Sequence, residues 1–323
     1  IIERKNINFN RRSVNPFTEV LCLLRFIMIV FDFKPDIIQS VALKPILYTA
    51  IISPLIRKTN IVLCVVGLGY LFINKSQLIK VLKNIFFKLV SFFLVRNKVS
   101  FIFQNKEDQQ IFKESGITKQ SKTIIIEGSG VDTKKFVKKK TRKIYDLIFH
   151  SRILYDKGFQ ELINAIKILK KKKVFSVLVL GDPDHNNRSS IKEDKLKQWE
   201  KQKLIIWKGK KSNVIPYLQK SKISVLPSYR EGFPKTLLEA ASCELPIVTT
   251  NVEGCKEVCL DNFNGILVPP KDHLSLLKAI EKILENPKLQ LFYGKNGRKL
   301  VKTKFSIDKI KKEYLNVYNN LLK

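Results

Sequence analysis

The stretch Ser228-Tyr-Arg-Glu-Gly-Phe-Pro-Lys-Thr-Leu-Leu-Glu-Ala-Ala-Ser242, which follows the apolar run Ile223-Ser-Val-Leu226, decides the fold of this sequence. The short β-branched run reads as a buried strand, Gly232 permits a tight turn, and Pro234 suits the first position of a helix. Strand, loop and helix in that order make one βα unit of a parallel sheet. Such a helix turns its first N–H groups toward the carboxyl ends of the strands, where they attract an anion. Glu231 falls in the loop and Glu239 more than a turn inside the helix. A carboxylate in the second position can accept both hydroxyls of a diol. Alternatively, Glu231 caps the helix and Glu239 is a solvated helix residue. The flanking Leu237, Leu238, Ala240 and Ala241 favour burial of Glu239.

Outward from this unit the same alternation fills the chain. Before it, strands are predicted at Asp146–His150, Phe175–Leu180 and Leu204–Trp207, and after it at Ile247–Thr250. Asp272 is placed to cap a helix over Leu274–Leu284, and a last helix runs from about Ile307. Nearer the start, strands are expected at Ile37–Ile38, Ile61–Val65, Val99–Phe103 and Thr123–Ile126. Helices belong at Pro45–Leu55, Ser76–Leu94 and Glu107–Glu114. Lys138, Lys139, Lys140, Arg142 and Lys143 crowd a polar stretch that suits a linker. The expected organisation is a first domain over 1–133, a linker over 134–144, a second domain over 145–304, and a terminal helix over 305–323 that packs back on the first.

With 323 residues, 45% hydrophobic and 27% charged, the chain can bury two ordinary cores. Lys and Arg number 60 against 28 Asp and Glu, a net charge of +32. Nucleic acid, an anionic bilayer or a phosphorylated substrate would each answer that field, and an AT-rich coding sequence would also produce it. Cys22, Cys64, Cys243, Cys255 and Cys259 lack metal-ligand spacing and read as reduced, buried thiols of a cytosolic protein. The apolar run Leu21–Phe33 carries Arg25 and Asp32 and reads as a core helix before a membrane span. The chain opens on Ile1 without Met or a signal-peptide pattern, so a preceding segment is expected.

The frame EGFPKTLLEA, with seven residues between Glu231 and Glu239, resembles the signature of glycosyltransferase family 4. The similarity continues in Ser151-Arg-Ile-Leu-Tyr-Asp-Lys-Gly158, Leu180-Gly-Asp-Pro-Asp184, Thr249-Thr-Asn-Val-Glu-Gly-Cys-Lys-Glu-Val258 and Asn264-Gly-Ile-Leu-Val-Pro-Pro270. Nearer the start it includes Lys34-Pro-Asp-Ile-Ile38, Leu43-Lys-Pro45, Gly67-Leu-Gly-Tyr70, Phe103-Gln-Asn105 and Gly128-Ser-Gly-Val-Asp132. This is similar to the branch that builds bacterial surface polysaccharides, such as capsule or lipopolysaccharide, on a polyprenyl diphosphate carrier. The resemblance implies the GT-B fold, two doubly wound Rossmann-like domains with a cleft between them. It implies a retaining hexosyl- or N-acetylhexosaminyltransferase that uses a nucleotide-diphosphate sugar, UDP-linked, and a lipid-linked or saccharide acceptor. Arg152 and Lys157 would hold the donor diphosphate, Glu239 the ribose, and Glu231 the donor sugar near its reacting end. The backbone around Gly232, Phe233, Pro234 and Lys235 would meet the diphosphate.

Other features depart from that pattern. No first strand or glycine-rich loop precedes Lys34, Gln39 stands where relatives tend to carry His, and the loop Cys64–Tyr70 has no His. No catalytic histidine is therefore assigned, and His150, His185 and His273 read as structural or exposed. Asp182-Pro-Asp184 is weak evidence for a metal, and none is expected, nor any cofactor beyond the donor. Between Leu78 and Val95, Lys80, Lys83 and Lys88 lie among Phe86, Phe87, Phe92 and Phe93, a composition suited to a cytoplasmic, anionic membrane face or to the buried side of a βα unit. The competing readings are an inactive fragment and a basic nucleic-acid-binding protein. The lysines are spread over both halves and no nucleic-acid motif occurs, so no nucleic-acid partner is expected.

Overall fold

The computed structural model describes residues 15–67, 77–94, 98–119, 121–185 and 187–323. The chain divides into two compact units, one formed by Ile1–Ile126 with Tyr314–Lys323, the other by Glu127–Glu313.

In the first unit, four parallel strands lie in chain order: β1 (Ile37–Val41), β2 (Asn60–Val65), β3 (Val99–Phe103) and β4 (Lys122–Ile125). Strand β3 is buried at every position and β2 at all but its first, which explains their near-continuous apolar sequences. Helices α1 (Pro16–Phe33), α2 (Leu43–Ile52), α3 (Gln77–Leu94) and α4 (Lys106–Glu114) accompany them. Phe112 of α4 meets the rings of Phe87, Phe101 and Phe103 at 5.3 to 5.9 Å, fixing the centre of this core. Asn15 caps α1 by accepting from the Phe17 amide, Pro16 opens it, and Lys34 ends it at φ 45° before Pro35.

One expectation for this unit changes. Helix α1 is not a fully buried core helix: Cys22 and Val30 are buried, while Phe17, Leu21, Leu24, Met28 and Phe31 are exposed. A helix on the outside of a single sheet has only one layer to pack against. Among the described residues no helix is long and apolar enough to cross a membrane. In α3, Phe87, Val90 and Leu94 are buried, while Val81, Leu82, Ile85, Leu89 and Phe92 are exposed. The loop Leu68–Tyr70, Val95 and the side chains of Leu78, Ile79 and Lys80 lie outside the described residues, as do residues 1–14.

In the second unit, six parallel strands run in the order β10-β9-β8-β5-β6-β7. They are β5 (Tyr145–His150), β6 (Val177–Leu180), β7 (Ile206–Trp207), β8 (Ser221–Leu226), β9 (Ile247–Thr250) and β10 (Gly265–Val268). The chain moves outward from β5 through β6 to β7, then returns so that β8 pairs with the other side of β5. The order therefore reverses between β5 and β8, and the crevice beyond the carboxyl ends of those two strands is where such sheets hold ligands. Helices α5 (Phe159–Lys172), α6 (Glu193–Lys201), α7 (Ile215–Gln219), α8 (Lys235–Ser242), α9 (Cys255–Val258), α10 (His273–Leu284) and α11 (Pro287–Lys304) complete the unit. Asp272 accepts from the Leu274 and Ser275 amides and caps α10 as its sequence suggests. All five cysteines are buried.

The division falls between Ile126 and Glu127, not in the basic stretch 134–144. That stretch is bound into the second unit: Thr141 Oγ1 and Lys143 Nζ donate to the Gln219 carbonyl, each at 2.9 Å, and Arg298 Nη1 donates to the Phe136 carbonyl at 2.9 Å. Burial, reinforced by nearby Lys138, lowers the Lys143 pKa. Composition does not show that Lys143 bonds two backbone carbonyls of the second unit, or that Lys138 pairs with Glu244 there, and so it does not mark the stretch as part of that unit. The last helix, α12 (Ile307–Leu322), contributes Tyr314 onward to the first unit. There Asn60 Nδ2 donates to the Leu321 carbonyl at 3.0 Å and Tyr318 donates its hydroxyl to Gln39.

Candidate functional site

The four loops that follow β5, β6, β8 and β9 meet through glycines that approach foreign backbone too closely for a side chain. A Cβ on Gly158, at φ 67°, would lie 1.9 Å from the Pro227 carbonyl oxygen, so the loop after β5 rests directly on the loop after β8. Likewise, a Cβ on Gly254 would lie 2.6 Å from the Glu231 carbonyl oxygen, which seats the loop after β9 against Glu231. Tyr229 N and Ser228 Oγ both donate to the Asp156 carbonyl, at 2.9 and 3.2 Å, tightening the first of these contacts.

This packing brings Lys157 Nζ to 2.5 Å from Glu231 Oε1, with the two side chains 14% and 12% exposed. A pair so desolvated holds its geometry, because either charge without the other would be costly. Arg152 behaves differently. Its Nη1 donates to Asp184 Oδ2 at 3.1 Å, but its side chain is 58% exposed, so the pair adds little to stability and the guanidinium is open to an incoming anion. Asp182 Oδ1 accepts from the Lys210 amide at 2.9 Å, so the two carboxylates of Asp182-Pro-Asp184 serve separate partners.

Helix α8 starts at Lys235, one residue later than the sequence suggests, with Pro234 preceding it and no side-chain cap. Its first turn keeps the anion-attracting character that a capped terminus would lose. Glu239 lies in that helix with its side chain 13% exposed; its Oε2 is 3.5 Å from His150 Nε2 and its Oε1 3.9 Å from Lys235 Nζ. A cavity of about 670 Å³ is lined by His150, Arg152, Asp184, Lys210, Lys235 and Glu239 among others. Lys157, Glu231 and the Gly232–Pro234 backbone are not among its lining residues. Phe233 packs its ring on Phe305 at 5.2 Å instead. The arrangement therefore has two parts: a basic cavity ending on the Glu239 carboxylate, and a tight Lys157–Glu231 pair in the adjoining loops.

His150, which the sequence presents as structural or exposed, is buried and lines the cavity. A polar residue at the carboxyl end of a central strand, directly before Ser151-Arg152, was the available signal. The loop Lys210–Val214, which with Ile215 of α7 lines the cavity's other wall, was also missed, because nothing in its local sequence marks it.

The glycosyl transferases group 1 family model matches residues 130–300, more than half of the chain and nearly all of the second unit. The chain is 27% identical over 332 residues to the N,N'-diacetylbacillosaminyl-diphospho-undecaprenol alpha-1,3-N-acetylgalactosaminyltransferase of Campylobacter jejuni, covering 98% of this chain and 85% of that protein. It is 26% identical over 327 residues to the capsular polysaccharide biosynthesis glycosyltransferase CapM of Staphylococcus aureus, covering 97% and 84%. In fold it is similar to sucrose-phosphate synthase of Thermosynechococcus elongatus, with a TM-score of 0.81 at 18% identity over 97% of this chain and 80% of that one. That likeness makes the fold GT-B, and with the switch-point cavity inside the matched region, the chain belongs to the glycosyl transferases of group 1.

Proposed function

We propose that this glycosyltransferase transfers a sugar, with retention of configuration, from a UDP-sugar to a saccharide carried on polyprenyl diphosphate. The step belongs to cell-surface polysaccharide assembly. The observation that carries the donor assignment is the basic cavity at the β5/β8 switch point, with a carboxylate at one side and the open Arg152 guanidinium at another. Glu239 holds the ribose diol, because a carboxylate accepts from two adjacent hydroxyls. Arg152 and Lys235 on the cavity wall are assigned to the diphosphate, together with Lys157 and the Gly232–Pro234 backbone of the adjoining loops, and Glu231 is assigned to the sugar near its anomeric carbon. The acceptor class is supported by the Campylobacter relative, named for transfer to N,N'-diacetylbacillosaminyl-diphospho-undecaprenol, and the polysaccharide context by CapM.

In the transfer, the acceptor oxygen forms a bond to the anomeric carbon as the bond from that carbon to the diphosphate oxygen breaks. The acceptor's proton passes to the leaving diphosphate on the same face. Negative charge grows on the diphosphate, and the cations and amides named above stabilise it without reorganising, which is electrostatic catalysis supplied by the chain itself. The reading assigns no metal and no cofactor beyond the donor.

A lipid-linked acceptor calls for contact with a membrane, and α3 of the first unit supplies a surface for it. Val81, Leu82, Ile85, Leu89 and Phe92 are exposed there, with Lys83 and Lys88 on the same helix. Apolar side chains inserted at an interface with lysines beside them bind anionic lipid. The protein is accordingly placed on the cytoplasmic face of the inner membrane, as a peripheral enzyme. The test is incubation with UDP-sugars and a synthetic polyprenyl-diphosphate saccharide, reading UDP release and product anomeric configuration by NMR. An α-linked product from an α-linked donor is expected; an inverted product overturns the retaining assignment, and product from a different nucleotide donor but not from UDP-sugars overturns the donor.

A further inference from the structure

His150 ends β5 with 6% of its surface exposed, and it lines the cavity. Its Nε2 lies 3.5 Å from Glu239 Oε2, yet no hydrogen bond satisfies that nitrogen among the described residues. A buried polar atom without a partner costs free energy, and native proteins keep few of them. The neighbouring cation does not account for it: Lys235 approaches the other carboxylate oxygen, at 3.9 Å, from a side chain 61% exposed.

Chemically, the two groups are complementary toward one ligand type. An ionised carboxylate only accepts, so Glu239 satisfies the proton of a hydroxyl but not its lone pairs. An imidazole Nε2–H donates to those lone pairs. Together, His150 and Glu239 can satisfy both the donor and acceptor sides of a hydroxyl, which neither does by itself.

We propose that His150 is a second ribose contact, with Nε2 bonding a hydroxyl of the donor nucleoside that Glu239 also binds, so that the pair selects a ribonucleotide over a deoxy analogue. The inference rests on the assignment of Glu239 to the ribose and adds a specificity residue to it. A hydroxyl of the diol donates to Glu239 Oε2 and accepts from His150 Nε2–H, which removes the unpaired buried nitrogen. A site with buried polar groups aimed at a hydroxyl rejects the analogue that lacks it, because those groups are then left unpaired.

The experiment measures, by calorimetry, the affinity for UDP and for 2′,3′-dideoxy-UDP in the parent, His150→Phe, His150→Gln and Glu239→Gln, each checked for its Tm. The parent is expected to prefer UDP by about tenfold or more. His150→Phe and Glu239→Gln should both collapse that ratio, while His150→Gln, which retains an N–H donor, should keep part of it. If Glu239→Gln collapses the ratio and a folded His150→Phe preserves it, the His150 contact is refuted and the Glu239 assignment stands. If the parent does not discriminate, both fall together. A measurement on the parent protects against misfolding of the variants. The His150 imidazole NMR signal, identified by its loss in His150→Gln, should move with UDP and stay in place with saturating dideoxy-UDP. A signal unmoved by saturating UDP refutes the contact.

Discussion

Replacing Lys157 by alanine removes the ammonium that sits 2.5 Å from the Glu231 carboxylate, a side chain only 12% exposed in the parent. Removing one partner of a buried pair costs about 3 to 5 kcal/mol, because an uncompensated charge stays out of water. Taking about 3 kcal/mol for a pair that retains some solvent access, and about 2 to 4 °C per kcal/mol for a unit of this size, Tm should fall by about 6 to 12 °C. Turnover should fall by about a hundredfold or more as well, since Lys157 would face charge that grows only in the transition state. The two effects separate in the double variant Lys157→Met/Glu231→Leu, where apolar groups of similar size replace both charges. That variant should regain most of the lost Tm and remain inactive. Differential scanning calorimetry and a UDP-release assay on the parent and both variants give the result. A Lys157→Ala protein melting within about 2 °C of the parent would refute the claim that this pair is desolvated.

Other expectations follow from the same geometry. Arg152→Ala should cut turnover strongly while costing about 1 kcal/mol of stability, because the Arg152 side chain is 58% exposed; equal turnover would remove Arg152 from the site. Gly158→Ala should destabilise the second unit by about 3 kcal/mol, from the strain of a Cβ at φ 67° and its clash with Pro227; calorimetry showing an unchanged Tm would contradict the loop contact. Burial and then the neighbouring Glu253 raise the Glu257 pKa from 4.5 to about 7, so the folded state favours its neutral form. Its contribution to stability is then full below about pH 4.5 and is lost as pH rises through about 7, a slope that Glu257→Gln should remove from Tm measured against pH. The parent should sediment with anionic vesicles at low salt, and Lys83→Glu/Lys88→Glu should reduce that binding about tenfold or more; equal binding would move the membrane contact away from α3.

Much of the fold was legible because buried parallel strands are apolar along nearly their whole length, as β2 and β3 are. Strand ends shifted by one to three residues, as at Ile206–Trp207 against the expected Leu204–Trp207 and at Ile37–Val41 against Ile37–Ile38. The basic stretch around Lys143 misled the domain boundary, since composition cannot tell a solvated lysine from one that bonds carbonyls. For the same reason α1 read as core: its apolar count does not show that half of its surface lacks a neighbour. At the site, the loop placement of Glu231 and the helical placement of Glu239 were readable from Gly232 and Pro234. The Lys157–Glu231 pair was not, because it depends on Gly158 pressing against Pro227, a contact 69 positions apart that no local pattern encodes. His150 escaped because its significance lies in an unpaired nitrogen, visible only in three dimensions.

The most direct test of the account is the dissociation constant of UDP for the parent and for Glu239→Ala, measured by isothermal titration calorimetry with Tm recorded for both. The account predicts that the parent binds UDP and that the variant, folded as well as the parent, binds about tenfold or more weakly, since hydrogen bonds to a charged group are worth about 1.5 to 3 kcal/mol each. An unchanged dissociation constant in the folded variant, or a parent that does not bind UDP, would contradict it.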